Sequence, residues 1–235
     1  MKSFKEFYLR EEYILEPNTQ YGSNVGGVYH NMLTNTKEYV KFPKTHEQAK
    51  VEVATSELYK HMGITTANPY IKTVQGKQAV TSDWNPNLVK FRSAKDIVDS
   101  ATDPKRAHQL ALMHHAAIIT GNRDIIGLAY DNVYQHKDTG DLVSLDQGGS
   151  MHFRAQGDPK PFEKDIADVH SFQNPTYSAG EVFSKIAQSH LKDAAHDLNK
   201  LTDDKIDATL KPHGLEHLGD TIKARRDMLI KHYLG

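Results

Sequence analysis

The chain changes character at a short segment that breaks regular structure, Asp83-Trp84-Asn85-Pro86-Asn87. Before it, glycine-punctuated stretches rich in β-branched and aromatic residues favour strands. After it, the apolar spacing is mainly helical. A change from strands to helices at one breaker predicts an α+β fold of two lobes joined by a hinge. We expect an N-terminal extension at 1–19, a β-rich N-lobe at 20–84 and a mainly helical C-lobe at 85–235.

The predicted N-lobe contains one helix among its strands, from Thr45 to Met62. The apolar residues that recur on one face of this helix are Val51, Ala54, Leu58 and Met62. Thr45 is suited to be the N-cap, with Gln48 three residues later, and Gly63 is suited to end the helix. The predicted strands of this lobe are at 38–43, 70–74 and 78–82.

The predicted C-lobe begins with a helix that Asp103 and Pro104 open and that runs to about Thr120. Two short strands follow, at 132–135 and 142–145, around a turn that contains Gly140. A loop rich in glycine, proline and glutamine then extends from about 147 to 180. Three helices are expected in the last part of the chain, at 181–199, 203–211 and 217–233.

Composition excludes several classes of function. The 235 residues include no cysteine, which excludes disulfides, thiolate zinc sites and a cysteine nucleophile. The formal net charge of -1 gives no overall basic field to attract nucleic acid or an anionic membrane. No apolar run approaches the ~18 residues of a membrane span, and the N-terminus has no secretory pattern. We therefore expect a cytoplasmic protein.

Residue types that bind phosphate occur in the predicted N-lobe. Gly22-Ser23-Asn24-Val25-Gly26-Gly27 lies where two strands would meet, and glycines let backbone N–H groups approach a phosphate closely. The same pattern also suits a plain hairpin turn. Lys41 could reach inward from its strand to phosphates, or it could face solvent. Glu52, on the following helix, could hold Lys41 in place by a charge-assisted bond.

Acidic and amide side chains in the predicted C-lobe are suited to phosphoryl transfer. Asp124 follows a helix, Asp131-Asn132 precedes a short strand, and Asp146 ends the next strand before two glycines. One carboxylate can orient an attacking hydroxyl, while an amide oxygen and a second carboxylate can hold magnesium, which prefers oxygen ligands. Taken alone, each of these acids also suits a turn or a helix cap.

The order of these pieces resembles the protein-kinase-like superfamily: a glycine-rich hairpin, a strand lysine, a helix glutamate, a hinge, a loop aspartate, a strand asparagine and a strand-end Asp-x-Gly. Three features resemble its atypical branches, namely the HipA-type kinases, the actin-fragmin kinase and the phosphoinositide kinases. They are the helix from Glu52 to Gly63-Ile64, the loop Gly121-Asn122-Arg123-Asp124, and the motif Asp146-Gln147-Gly148-Gly149. The likeness covers roughly residues 20 to 155.

The resemblance implies a phosphotransferase that depends on ATP and magnesium and that acts on a protein hydroxyl. It implies that Lys41 contacts the α- and β-phosphates, that Glu52 orients Lys41, and that Asp124 is the catalytic carboxylate. The segment from Gly22 to Gly27 would cover the phosphates. The metal ligands that it implies are Asn132 and Asp146.

One departure from the family pattern keeps other functions open. Asn132 lies eight residues after Asp124, whereas the family usually places this amide about five residues on. Either Ile125-Ile126-Gly127-Leu128 bulges, or Asp131 takes part of the metal role. The departure leaves open an enzyme that transfers AMP, and also a silent, nucleotide-binding pseudokinase.

The opening residues MKSFKEF resemble proteins of tailed bacteriophages. This resemblance would place the chain in the host cytoplasm. It also leaves open a non-enzymatic role in the virion or in an interaction with the host.

Overall fold

The computed structural model describes residues 13–19 and 25–235. Five antiparallel strands form an upper sheet in the spatial order β1-β2-β3-β6-β5. Their bounds are Tyr13–Leu15 (β1), Val25–Asn31 (β2), Thr36–Phe42 (β3), Tyr70–Val74 (β5) and Lys77–Asp83 (β6). The three strands that the sequence predicts after the glycine-rich segment are therefore present. Residues 13–15, inside the predicted N-terminal extension, form an edge strand of this sheet.

Helix α1 (His46–His61) packs against both the upper sheet and the main core. It begins where the sequence predicts, because the Thr45 side chain accepts a hydrogen bond from the Gln48 amide at 3.1 Å. The residues that pack with Val80 of the sheet are Ala49 and Val53. Those that join the main core are Val51, Ala54, Leu58 and Tyr59. Glu52 is thereby held between the sheet and the rest of the molecule.

A lower sheet of four strands follows, in the spatial order β4-β9-β8-β7. Its strands are Thr65–Thr66 (β4), Leu88–Lys90 (β7), Val133–His136 (β8) and Leu142–Ser144 (β9). β4 runs parallel to β9, and the other neighbours are antiparallel. The predicted hinge at 83–87 thus leads from the last residue of β6 directly into the lower sheet.

The remaining helices build most of the core around α3. They are Ala94–Ser100 (α2), Pro104–Thr120 (α3), Ser178–Phe183 (α4), Gln188–Asp197 (α5), Asp203–Leu210 (α6) and Gly219–Leu234 (α7). Every residue of α3 from Leu110 onward is buried, and α3 packs against α5 and α7. Asp103 caps its start, Pro104 is its first residue, and Gly121 ends it in a left-handed conformation at φ 64°.

The structure corrects the predicted helix at 181–199, which is two helices, α4 and α5. α4 packs mainly against α2 and the 3-10 turn Ala167–Gln173, whereas α5 packs mainly against α3 and α7. The chain turns after Phe183, so the two helices face different main partners. The predicted loop at 147–180 also contains structure: a 3-10 turn at Gln147–Gly149, the turn at Ala167–Gln173 and the start of α4.

None of the helices in the described ranges is both long enough and apolar enough to cross a membrane.

Candidate active site

A cleft of about 400 Å³ lies between the upper and lower sheets. Its upper wall comes from β3 and β6, its back from α1, and its lower wall from β8 and the residues after β9. The segment at 82–85, which joins the two sheets, forms one end. The lining residues from the two sheets, the joining segment and α1 include Tyr39, Lys41, Glu52, Val80, Trp84, Lys90, Asp131, Asn132, Tyr134, Leu145 and Asp146.

Lys41 is the buried centre of this cleft. It alternates with Val40 along β3, and this alternation directs Val40 into the core and Lys41 into the cleft. The Lys41 Nζ atom lies 2.6 Å from Glu52 Oε2 and 2.6 Å from Asp146 Oδ1. The predicted contact between Lys41 and Glu52 is therefore present, and the same ammonium group also reaches Asp146.

Lys41, Glu52 and Asp146 form a trio of charged groups that together shift the pKa values of Lys41 and Glu52. Burial alone would lower the pKa of Lys41, but the carboxylates of Asp146 and Glu52 outweigh burial and raise that pKa above its ordinary value. Lys41 is thus a fixed positive charge. Burial raises the pKa of Glu52 to about 7, although the charge of Lys41 opposes the shift. Two carboxylates share one ammonium group, so the trio has negative charge to offer a cation.

Asp146 is positioned by the turn that follows β9. Its backbone is left-handed, at φ 52°, and its Oδ1 accepts a hydrogen bond from the Gly148 amide at 3.3 Å. A Cβ atom at Gly148 would lie 2.9 Å from Glu52 Oε2 and 3.2 Å from Lys41 Nζ. The glycine at this position therefore allows the turn to approach the Lys41–Glu52 pair closely.

Asp124 lies in the loop that follows α3. Its amide donates to Asn122 Oδ1 at 3.1 Å, and Asn122 Nδ2 donates to the hydroxyl of Tyr59 on α1 at 3.4 Å. Burial raises the pKa of Asp124 to about 6, with further contributions from the charges of Asp146 and Asp131. At neutral pH this carboxylate is ionised and close to the point at which it can accept a proton.

The extra residues between Asp124 and Asn132 form a bulge. Ile125 and Ile126 are fully buried, and Gly127 turns the chain at φ 76°. The turn returns Asn132 to Asp124, where Asn132 Nδ2 donates to the Asp124 carbonyl oxygen at 2.6 Å. Of the two alternatives that the spacing left open, the bulge is present. Asp131 also lines the cleft, with an oxygen 4.0 Å from Lys90 Nζ.

The oxygen chemistry of the cleft suits magnesium. The lining carboxylates, Glu52, Asp83, Asp131 and Asp146, outnumber the lining ammonium groups of Lys41 and Lys90. Asn132 uses its amide nitrogen on Asp124, so the oxygen of the same amide can serve as a ligand beside Asp146. Within 13–19 and 25–235, no group of three or more His, Cys, Asp or Glu residues is arranged to hold a metal. The oxygens that could hold magnesium here are the carboxylate of Asp146 and the side-chain amide oxygen of Asn132.

The glycine-rich segment is only partly described. Gly22, Ser23 and Asn24 lie outside the described residues. Gly26 and Gly27 belong to β2, where they pair with Lys41 and Val40 of β3. A Cβ atom at Gly26 would lie 2.3 Å from the Val40 carbonyl oxygen, so glycine is required for the close approach of β2 to the strand of Lys41.

Sequence reasoning assigned no role to several residues of the site. Tyr39 and Tyr134 face the cleft from the upper and lower sheets. The signal for both was the period of two along a strand, because Tyr39 precedes Lys41 by two positions and Tyr134 follows Asn132 by two. Tyr59 had no such signal, since its contact with Asn122 joins α1 to a loop 63 positions away.

Comparisons with known proteins give similarity in structure and none in sequence. No protein-family model matches the chain, and no curated protein matches it in sequence. The crystal structure of the Helicobacter pylori proinflammatory kinase CtkA has a TM-score of 0.65 at 13% identity, covering 94% of this chain and 96% of that one. HipA from the Shewanella oneidensis MR-1 HipA–HipB–operator DNA complex has a TM-score of 0.51 at 12% identity, covering 92% of this chain and 66% of that chain.

These similarities agree with the order of elements around the cleft: a sheet that carries Lys41, a helix that carries Glu52, a joining segment, and a mainly helical part that carries Asp124 and Asp146. The chain therefore has the α+β, kinase-like fold of CtkA and HipA.

Proposed function

We propose that this chain is a phosphotransferase that binds ATP and magnesium in the cleft and transfers the γ-phosphoryl group to a protein hydroxyl. The observation that carries the proposal is the buried Lys41 ammonium group held at 2.6 Å from both Glu52 and Asp146. A buried lysine between two carboxylates is costly to build, and with magnesium on Asp146 the Lys41 ammonium group would be able to contact the phosphates of a nucleotide.

The residues of the cleft have distinct roles in this proposal. Glu52 keeps Lys41 extended toward the phosphates, and Asp146 and Asn132 hold the metal, with Asp131 as the alternative ligand. Magnesium, when bound, neutralises charge on the phosphates. Gly26 and Gly27 of β2 cover the phosphates.

Asp124 accepts the proton of the attacking hydroxyl in this proposal. The hydrogen bond from its amide to Asn122 and the contact with Asn132 fix the carboxylate in one place, and such positioning supplies much of the rate enhancement of phosphoryl transfer. The base of the nucleotide would lie between Tyr39 and Tyr134, beside Trp84. The similarity to two solved kinase-like structures supports this reading of the cleft, and we place the protein in the cytoplasm.

The experiment that tests the proposal follows the label of ATP. The chain is incubated with magnesium and with ATP labelled on either the α- or the γ-phosphorus, with the chain itself and dephosphorylated casein as acceptors. We expect γ-label in protein together with release of ADP, and loss of both in Asp146→Asn, which removes an anionic metal ligand.

The other outcomes identify the rival functions. Label from the α-phosphorus in protein, with release of pyrophosphate, would show that the chain transfers AMP. No label in protein from either position, with the wild-type chain folded, would contradict a phosphotransferase and leave a pseudokinase or a non-enzymatic protein.

A further inference from the structure

Lys160 joins the two loops that carry the acids of the site. Its ammonium group donates to the carbonyl oxygen of Gly121 and, at 2.7 Å, to the carbonyl oxygen of Gly149. Gly121 lies three residues before Asp124, and Gly149 lies three residues after Asp146. One side chain therefore holds a backbone position close to each carboxylate.

The electrostatics of the two loops favour a cation at this place. The carbonyl of Gly121 lies at the end of α3, where the helix dipole and the unpaired carbonyls concentrate negative charge. Each loop also carries a carboxylate of the candidate site, Asp124 in one and Asp146 in the other. An ammonium group shared between the two backbones therefore lies where carbonyl dipoles and acidic side chains are concentrated.

The backbone of Lys160 is itself fixed on both sides. Its amide donates to the His152 carbonyl oxygen at 2.8 Å, in a small hairpin closed by a bridge between Phe153 and Pro159. After it, the Phe162 ring packs against Gly121, and Arg225 donates to the Glu163 carbonyl oxygen at 2.9 Å. Because the backbone on both sides of Lys160 is already fixed, only its side chain loses conformational freedom when the ammonium group binds the two carbonyls.

We propose that Lys160 is a positioning residue, whose ammonium group clamps the loop of Asp124 to the loop of Asp146 through the Gly121 and Gly149 carbonyls. A backbone hydrogen bond from Met151 to Thr120, at 2.6 Å, joins the same two loops close to the carbonyls that Lys160 holds. Lys160 adds two charged hydrogen bonds to this backbone bond, one to each loop. Its effect on catalysis rests on the proposed function, but the clamp does not.

The test compares Lys160→Met with Lys44→Met by amide hydrogen exchange. Methionine keeps the apolar stem of Lys160 and removes its donors. Lys44 is a matched control, because it pairs with Asp158 in the same hairpin and its ammonium group contacts neither carbonyl. In Lys160→Met we expect exchange at Asn122 and at Met151 to quicken together by about tenfold or more, as expected for a lost charged hydrogen bond. Exchange in α6 should not change, and Lys44→Met should match the wild type.

Enzyme kinetics distinguish a positioning role of Lys160 from a general loss of stability. In Lys160→Met we expect kcat to fall by about 10- to 100-fold, the effect of a misplaced catalytic group, with KM for ATP nearly unchanged. Unchanged exchange in either loop, or quicker exchange in one loop alone, would overturn the clamp. So would a fall of kcat no larger than that of Lys44→Met. If the wild type transfers no phosphate, the proposed function fails, and the exchange of the two loops still decides the clamp.

Discussion

At the scale of single residues, the site depends on one ammonium group, that of Lys41. It contacts a carboxylate from α1 and another from the turn after β9, so two distant parts of the chain meet on it. The contact with Glu52 could be predicted, because the order of residue types resembles a known family. The contact with Asp146 was not predicted, since it joins residues 105 positions apart and depends on how the two sheets face each other.

The raised pKa of Asp124 makes a prediction about activity and pH. Burial, helped by the charges of Asp146 and Asp131, raises this pKa from 3.8 to about 6. A base must be ionised to accept a proton, so kcat/KM should fall as the pH drops through about 6. A profile of kcat/KM against pH reports the ionisations of the free enzyme, and a profile that stays flat through this region would contradict the role of Asp124 as the base.

The raised pKa of Asp124 also determines how the ionisation of this carboxyl group changes the stability of the fold. A carboxyl group whose pKa is higher in the folded state destabilises the fold once it is ionised, fully above pH 6 and not at all well below 3.8. Asp124→Asn should therefore be inactive and yet melt at a higher temperature than the wild type at pH 8, with the gain shrinking toward pH 5. Asp193→Asn, which removes an exposed carboxylate of α5, is the control. A lower melting temperature for Asp124→Asn at pH 8 would contradict the burial of a charged Asp124.

At the scale of elements, strong local signals led to the right structure and short elements left no signal. α1 and α3 begin at predicted caps, because Thr45 and Asp103 accept hydrogen bonds from amides three residues on. β4 and β7 were missed because two or three residues show no alternation. α2 was not predicted, although Ser93 caps it in the same way that Thr45 caps α1. A serine at this position is a sequence signal for the start of a helix.

The bulge after Asp124 is one of two alternatives that the sequence left open. The eight-residue spacing demanded either a bulge or a different ligand, and only the structure shows that buried Ile125 and Ile126 anchor one. The bulge turns at Gly127, where a Cβ atom would lie 2.3 Å from Asp131 Oδ1 and 3.2 Å from Asn132 Cγ.

Gly127→Ala tests whether this bulge places Asn132. Gly127 has φ 76° and no space for a side chain, whereas a Cβ atom at Gly76, with φ 75°, would meet nothing within 4 Å among the described residues beyond its chain neighbours. Alanine at either position should cost roughly 1–2 kcal/mol of stability for its left-handed backbone. Only Gly127→Ala should also lose activity, by about 10- to 100-fold, because it displaces Asp131 and Asn132. Equal activity in the two variants would mean that the bulge does not position the site.

At the scale of the whole molecule, the fold is shared with CtkA at 13% identity. Such a distance in sequence is compatible with one fold, because a kinase-like cleft needs few residue types in a set order, and the core needs only apolar side chains of suitable volume. The class of fold could therefore be predicted. The packing of α1 between the upper sheet and the main core could not, because it depends on contacts across the whole chain.

Binding of a nucleotide with magnesium is the central claim, and calorimetry tests it most directly. The wild-type chain and Asp146→Asn are titrated with a non-hydrolysable ATP analogue, with and without magnesium. Trp84, the one tryptophan of the chain, lines the cleft, so its fluorescence reports binding in parallel. The account predicts one analogue per wild-type chain, tighter binding with magnesium, and loss of the magnesium effect in Asp146→Asn. No heat of binding at millimolar analogue with the wild-type chain folded, or an undiminished magnesium effect in Asp146→Asn, would contradict it.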